Sequence, residues 1–313
     1  MNRVVRAGVW FSIGRPAVRA GVTNVTQREL EQGIHTDLPR SENYSAYLKL
    51  DEMLACQVPL SEPAHHDEML FIVQHQVAEL WMKLLIHELE AASAYLREAR
   101  LRRAAKCLAR VKTVQQQLHN QWSVLETLTP SEYAEFRHVF GNASGFQSPQ
   151  YRMLEILLGN RNRQLLKVYA HRPEWYSRLE QAISTPGVYD EFLRLLDRRG
   201  YAIPDHVINR DFAEVRPVDE DVVQTLLTVY QDPKAHWDAY EICETLVDIA
   251  NKFQIRRNRH MKTVERLIGH RPGSGGSSGV SFLQRALSQE FFEELIAVRT
   301  AIHADSLSCP MGN

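Results

Sequence analysis

Cysteine is scarce in this chain and never paired. Cys56, Cys107, Cys243 and Cys309 stand far apart without a CxxC spacing, which excludes a zinc-finger ligand set and a disulfide scaffold and fits a reducing cytoplasm. Net charge is equally scant. The 37 basic residues against 38 acidic leave −1 at pH 7, so no overall field draws the protein to nucleic acid or to an anionic membrane. No stretch reaches the roughly 18 uncharged apolar residues of a membrane helix. The opening Val4 to Val18 run is broken by Arg6, Gly8, Gly14, Arg15 and Pro16 and lacks a signal-peptide core. Alternating strand patterns are nearly absent, and no internal repeat recurs. What remains is small-molecule chemistry on a helical scaffold, with 44% hydrophobic residues to build a core.

The helical signal is strong. From Asp67 to about Leu128 there is no glycine or proline, which predicts two long helices with a short break. Thr129-Pro130-Ser131-Glu132 reads as a helix start, with an N-cap oxygen, a proline at the first helical position and a glutamate at the third. A short helix carrying Tyr133 and Arg137 follows, then an Asn142 to Phe146 loop. Further helices are expected over 147–158, 175–183, 188–198 and 221–230, separated by Pro186, Pro204, Pro217 and Pro233. A long one over 236–269 would span about 50 Å. Residues 1–40 read as an irregular arm with one short helix at Gln27 to Gln32, and the ordered body begins near Tyr44. The expectation is an all-α chain, an arm over 1–40 and one helical domain over 41–313.

Two histidines fall on apolar helix stripes. His75 lies four residues after Phe71, so imidazole and ring share a face. His260 continues the stripe of Ile242, Leu246, Ile249, Phe253, Val264 and Leu267. A histidine so placed is most often a hydrogen-bonded core residue, yet a single histidine on a helix is also one way haem iron is held. A bare zinc or iron ion needs more ligands, and the dense candidate, His65-His66-Asp67, reads instead as a helix start. Tyr133 and Arg137, four apart, form either a clamp for a carboxylate or an ordinary surface pairing. The segment from Gly269 to Gly279 lacks the Gly-Lys-Ser/Thr ending of a phosphate loop and follows a helix rather than a strand. Its five glycines suit either a backbone folded closely over a ligand or a flexible linker. The run Arg97, Arg100, Arg102, Arg103, Lys106, Arg110, Lys112 has no interleaved aromatics and reads as a solvated face.

In order along the chain, several blocks together resemble the tryptophan 2,3-dioxygenase family. They are Tyr44-x-x-Tyr47-Leu48, Asp67 to Trp81, Gln121 to Thr127, Tyr133-x-x-x-Arg137, Ser144 to Ser148, Arg259-His260 with Val264-Glu265-Arg266, and Gly273 to Gly279. The resemblance implies an all-helical homotetramer binding haem b, ferrous when active. Such an enzyme inserts both atoms of O2 across the indole C2–C3 bond of L-tryptophan to give N-formylkynurenine, the entry to the kynurenine pathway. It further implies His260 as the proximal iron ligand, His75 beside the indole N–H, and Phe71 as a wall. Arg137 and Tyr133 would hold the substrate carboxylate. Ser274 would stand near the ammonium and carboxylate groups, and Trp122, Ser144, Gly145 and Arg256 would lie around the cofactor. Tyr44, Tyr47 and Leu48 match a segment that reaches a neighbouring subunit's pocket.

The chain departs from the family near the haem. Arg256 and Asn258 stand where the family usually has tryptophan and an aromatic, Glu293 and Ile296 replace a proline and an aromatic, and Ser274 replaces a threonine. A buried arginine needs a partner, so Arg256 is expected to pair with a haem propionate or an acidic side chain. The departures admit two other readings. One is a related haem monooxygenase placing one oxygen atom on the indole of tryptophan or a substituted tryptophan, and the other a non-catalytic haem sensor.

Overall fold

The computed structural model describes residues 30–39 and 43–302. Cys309 and the Val4 to Val18 run lie outside them, as does most of the expected Gln27 to Gln32 helix, whose described part is non-helical. The chain is all-α, with no strand among the described residues. It divides into two compact units, residues 1–56 and 57–313.

In the first unit, α1 (Tyr44–Leu48) and α2 (Leu50–Leu54) meet at Lys49. The Asn43 side chain caps α1 by accepting from the Ala46 amide at 2.9 Å. Tyr44, Tyr47 and Leu48 are exposed within this unit.

The second unit is built on α3 (His66–Arg97) and α4 (Leu101–Asn120), the two long helices expected over 67–128. Buried residues recur at Leu85, Leu89, Ala92 and Leu96 on α3 and at Ala104, Leu108, Val111 and Leu118 on α4. These threes and fours give each helix one apolar stripe, and the stripes face each other. Each leucine so buried stabilises the fold by about 1.5–3 kcal/mol. His65 caps α3, its Nδ1 accepting from the Asp67 amide at 3.2 Å, so the His65-His66-Asp67 trio is a helix start. By length and composition α3 is also apolar enough to cross a membrane, contrary to the sequence expectation, because a window with few charges suffices. Here its stripe packs on α4, α7 and α9.

After α5 (Trp122–Leu125) comes α6 (Pro130–Phe136), which starts with the expected capping box. Thr129 Oγ1 accepts from the Glu132 amide, and Glu132 accepts from the Thr129 amide. The helix is shorter than the sequence suggested. Arg137 ends it and opens a 3-10 turn to Phe140. Next come α7 (Pro149–Leu157), α8 (Pro173–Ile183), α9 (Val188–Arg198), α10 (Asp205–Ile208) and α11 (Glu220–Gln231). The third long helix, α12 (Trp237–Ile268), packs on α4 and is followed by α13 (Val280–Leu287) and α14 (Glu293–Ala301). The basic run is a salt-bridged outer face, with Arg97, Arg110 and Lys112 on Glu191, Glu88 and Asp248.

The hydrophobic interior falls into a large cluster around α3, α4, α9 and α12 and a small one. The small cluster holds Leu125, Leu128, Phe136 and Leu267, with Phe71, Trp122, Tyr133 and Phe140 packed on it. It draws on α3, α5, α6 and α12 together, and it forms the floor of the candidate site.

Candidate active site

The two sequence-flagged histidines reach one neighbourhood. His75, on the third turn of α3, points its ring at Phe71, with centroids 4.1 Å apart. Its Nδ1 lies 2.7 Å from the Phe71 carbonyl oxygen. A carbonyl only accepts, so Nδ1 carries the proton and Nε2 presents a lone pair. Burial holds the His75 pKa below the usual histidine value, although the Phe71 hydrogen bond opposes the shift. His260, on α12, is pushed down to about 4, by burial first, then by the Arg256 cation and by His75 itself. Both imidazoles are therefore neutral at pH 7, and they lie close enough to feel each other's charge.

Around His75 stands an aromatic wall. Phe71 stacks on Phe140 at 4.6 Å and 17°, and contacts Tyr133 at 5.9 Å and Phe136 at 6.0 Å. Tyr133 and Arg137, on adjoining turns, face the same way. Burial raises the Tyr133 phenol pKa, and the neighbouring Arg137 guanidinium offsets part of the rise.

Arg137 Nη2 donates to the Pro272 carbonyl at 2.6 Å and so ties the clamp to the Gly/Ser loop. That loop is no free linker. Ser274 Oγ donates to the Ala143 carbonyl at 2.5 Å, and Gly273 and Ser277 close a turn through a 3.0 Å backbone bond. A Cβ on Gly275 would sit 2.7 Å from Ser144 Cβ, so only glycine allows this approach. Ser144 and Gly145, expected around a cofactor, are thereby brought to Ser274, where Ser144 caps the 3-10 turn Gly145–Gln147.

On the other side of the site, Trp122 stacks on His260 at 5.0 Å and 23°. Sequence reasoning missed what holds it there. Arg259 spans from α12 to Glu126, just past α5, with Nε and Nη2 each 2.8 Å from a carboxylate oxygen, and donates to the His119 carbonyl at 3.1 Å. Arg259 holds the Glu126 carboxyl below its usual pKa, with Thr263 adding a hydrogen bond. The signal was an arginine beside His260 facing a glutamate four residues after Trp122, a match that only tertiary structure reveals.

Arg256 is buried, as its place on the apolar stripe required. It makes no ion pair among the described residues, so the acidic side-chain partner is not found. The nearby carboxylate, Glu155, is held by Arg152 and Arg257.

The donor set fits a haem. Among the described residues no group of three or more His, Cys, Asp or Glu could hold a bare metal ion. A lone neutral imidazole suits an iron that brings four ring nitrogens of its own. Flat aromatic surfaces line the site, and the buried Trp122 Nε1, Arg256 Nε and Arg256 Nη2 lack partners among the described residues. A cavity of about 360 Å³ lies elsewhere, between the end of α7 and the starts of α9 and α14. Its arginines pair with its own acids, Arg161 and Arg210 with Asp190 and Arg216 with Glu294, and none of the groups above lines it.

An all-α scaffold thus brings a half-buried imidazole, a second, acceptor imidazole and a guanidinium to one neighbourhood, a set of groups suited to a helical haem protein. The sequence profile of the family described as tryptophan 2,3-dioxygenase matches residues 29–228 and 224–302. The tryptophan 2,3-dioxygenase of Xanthomonas euvesicatoria pv. vesicatoria is 53% identical over 278 residues, covering 89% of this chain and 93% of the relative. That of Serratia proteamaculans is 51% identical over 280 residues, covering 90% and 100%. The chain belongs to the tryptophan 2,3-dioxygenase family.

Proposed function

We propose that this protein is a tryptophan dioxygenase, joining L-tryptophan and O2 to give N-formylkynurenine. Both oxygen atoms end in the product, one on each of the former C2 and C3 carbons, so no external reductant is consumed. The observation that carries the reading is the contact of His75 Nδ1 with the Phe71 carbonyl, which leaves Nε2 as an acceptor beside the Phe71 ring, itself in contact with Tyr133 of the cationic clamp. That combination matches a ligand with an N–H donor on a flat ring and a carboxylate at the far end.

Haem b, when bound in its ferrous form, supplies the centre at which dioxygen is activated. His260 would hold its iron, its imidazole kept free of a competing proton by burial. His75 Nε2 accepts the indole N–H and orients the ring. Phe71, backed by Phe140, is the wall against which the indole lies. Arg137 spends Nη2 on Pro272 and offers the rest of its fork to the substrate carboxylate, beside the Tyr133 hydroxyl. Ser274, fixed on Ala143, stands at the rim near the amino-acid end, with Ser144 and Gly145 beneath it.

The working protein is a cytoplasmic homotetramer with no membrane or nucleic-acid partner, in which Tyr44, Tyr47 and Leu48 complete a neighbour's pocket. Their exposure within their own unit supports this, as do the free thiols of Cys107 and Cys243. The test is turnover of L-tryptophan by the ferrous, haem-loaded protein under labelled dioxygen, with the product weighed. Two incorporated atoms are expected. One atom would replace the reading with monooxygenation, and no turnover would leave a binding role.

A further inference from the structure

The interior beside His260 holds a surplus of buried positive charge. Arg152, Arg256 and Arg257 are 6%, 8% and 5% exposed, and one carboxylate, Glu155 at 3%, is paired among them. Arg257 is satisfied on every side, by Glu155 at 2.5 Å, by Tyr151 Oη at 3.2 Å and by the carbonyls of Ala286 and Gln289. Arg152 takes the other Glu155 oxygen. Arg152 Nε also lacks a partner among the described residues, but Arg256 differs from both in having no carboxylate there at all.

The Arg256 guanidinium lies over the rings of Tyr151 and Phe253, at 5.0 and 4.8 Å. Aromatic faces satisfy the flat of a guanidinium, but they accept nothing from the N–H groups in its plane. Nε and Nη2 are left without partners among the described residues. These two atoms form one edge of the fork, the edge that receives a carboxylate side-on. Arg259, three residues further along the same helix, uses that same edge to hold both oxygens of Glu126. Taking a cation out of water without a counter-ion is costly, so this interior is built to receive an anion that the described residues do not supply.

We propose that Arg256 anchors a carboxylate of the cofactor, its Nε–Nη2 edge receiving one haem propionate one helical turn before the iron ligand. The proposal rests on the haem reading above. It assigns the cofactor a fixed rotational setting, because a side-on carboxylate pair admits one edge of the porphyrin and not another.

The test compares haem with haem dimethyl ester, which has the same ring and iron but no carboxylate charge, each titrated into the apoprotein and followed by the Soret band. Wild type is expected to bind haem at least about tenfold more tightly than the ester, the scale of one charged hydrogen-bonded pair. Arg256→Met should bind the ester about as wild type does but lose the preference for haem, and Arg256→Lys should keep part of it. A wild type that binds both porphyrins equally overturns the proposal without recourse to any variant. So does a folded Arg256→Met that keeps the full wild-type preference, since the ester would then be rejected for its bulk. A wild type that binds neither porphyrin removes the haem reading itself.

Discussion

Trp122 and His260 come from different helices yet stack almost face to face, 5.0 Å apart and 23° from parallel. The contact fixes the rotation of the imidazole about its own axis, which neither α5 nor α12 does alone. Trp122→Ala should weaken haem binding about 2- to 12-fold, the equivalent of about 0.5–1.5 kcal/mol for an aromatic pair, while Trp122→Phe keeps most of the affinity. Titration of apoprotein with haem checks it, and unchanged affinity in the alanine variant would sink the positioning role.

The clamp between Glu126 and Arg259 gives that stack a pH dependence. Because Arg259 depresses the folded-state pKa of Glu126, the ion pair stabilises fully above the ordinary glutamate value of 4.5 and is lost as the pH falls below it. Glu126→Gln should cost about 1.5–3 kcal/mol at pH 7, as for hydrogen bonds to a charged group. The difference between variant and wild-type melting temperatures should shrink on acidification. A difference that stays constant to pH 3 would contradict the assignment.

Removal of the His75 imidazole is expected to spare the cofactor and impair the substrate step. His75→Ala should retain wild-type haem content but lose about tenfold in kcat/KM, the scale of one hydrogen bond to the indole. His260→Ala should show the reverse order of damage, with stable haem binding abolished. The pyridine haemochrome assay separates the two, and equal haem loss in both variants would contradict the unequal roles.

Arg137 binds through a planar fork, so charge alone does not replace it. Arg137→Ala should lower kcat/KM at least about 30-fold, the scale of a truncated charge pair, and Arg137→Lys should recover little of it. Steady-state kinetics with tryptophan decide this, and an unaltered kcat/KM in either variant removes the carboxylate clamp.

The approach of the Gly/Ser loop to Ser144 can be tested by restoring the missing room. Gly275→Ala places a methyl group 2.7 Å from Ser144 Cβ and should raise KM by displacing Ser274 and Pro272. Adding Ser144→Gly, which removes the opposing carbon, should recover part of the loss. If the double variant is no better than the single one, the defect lies elsewhere than in this contact.

Local signals in the sequence were enough to find most helices and both histidines. The capping box at Thr129, the bounds of α9 and the apolar stripe bearing His260 each depend on residues within a few turns of one another. What could not be read was pairing across the fold. Nothing local says that Glu126 belongs to Arg259, or that Glu155 goes to Arg257 and so leaves Arg256 without an acid. The Gly/Ser segment was ambiguous for the same reason, since its order comes from Ala143, Ser144 and Arg137, more than 120 residues earlier.

The proton on His75 is assigned by the backbone of its own helix, through the Phe71 carbonyl one turn back. Most proteins that need a defined imidazole tautomer borrow a distant carboxylate or carbonyl for it, and any shift of that partner blurs the chemistry. Here five consecutive residues carry the whole instruction. Surrounding loops can open for substrate entry and product release without ever changing which nitrogen of His75 faces the pocket.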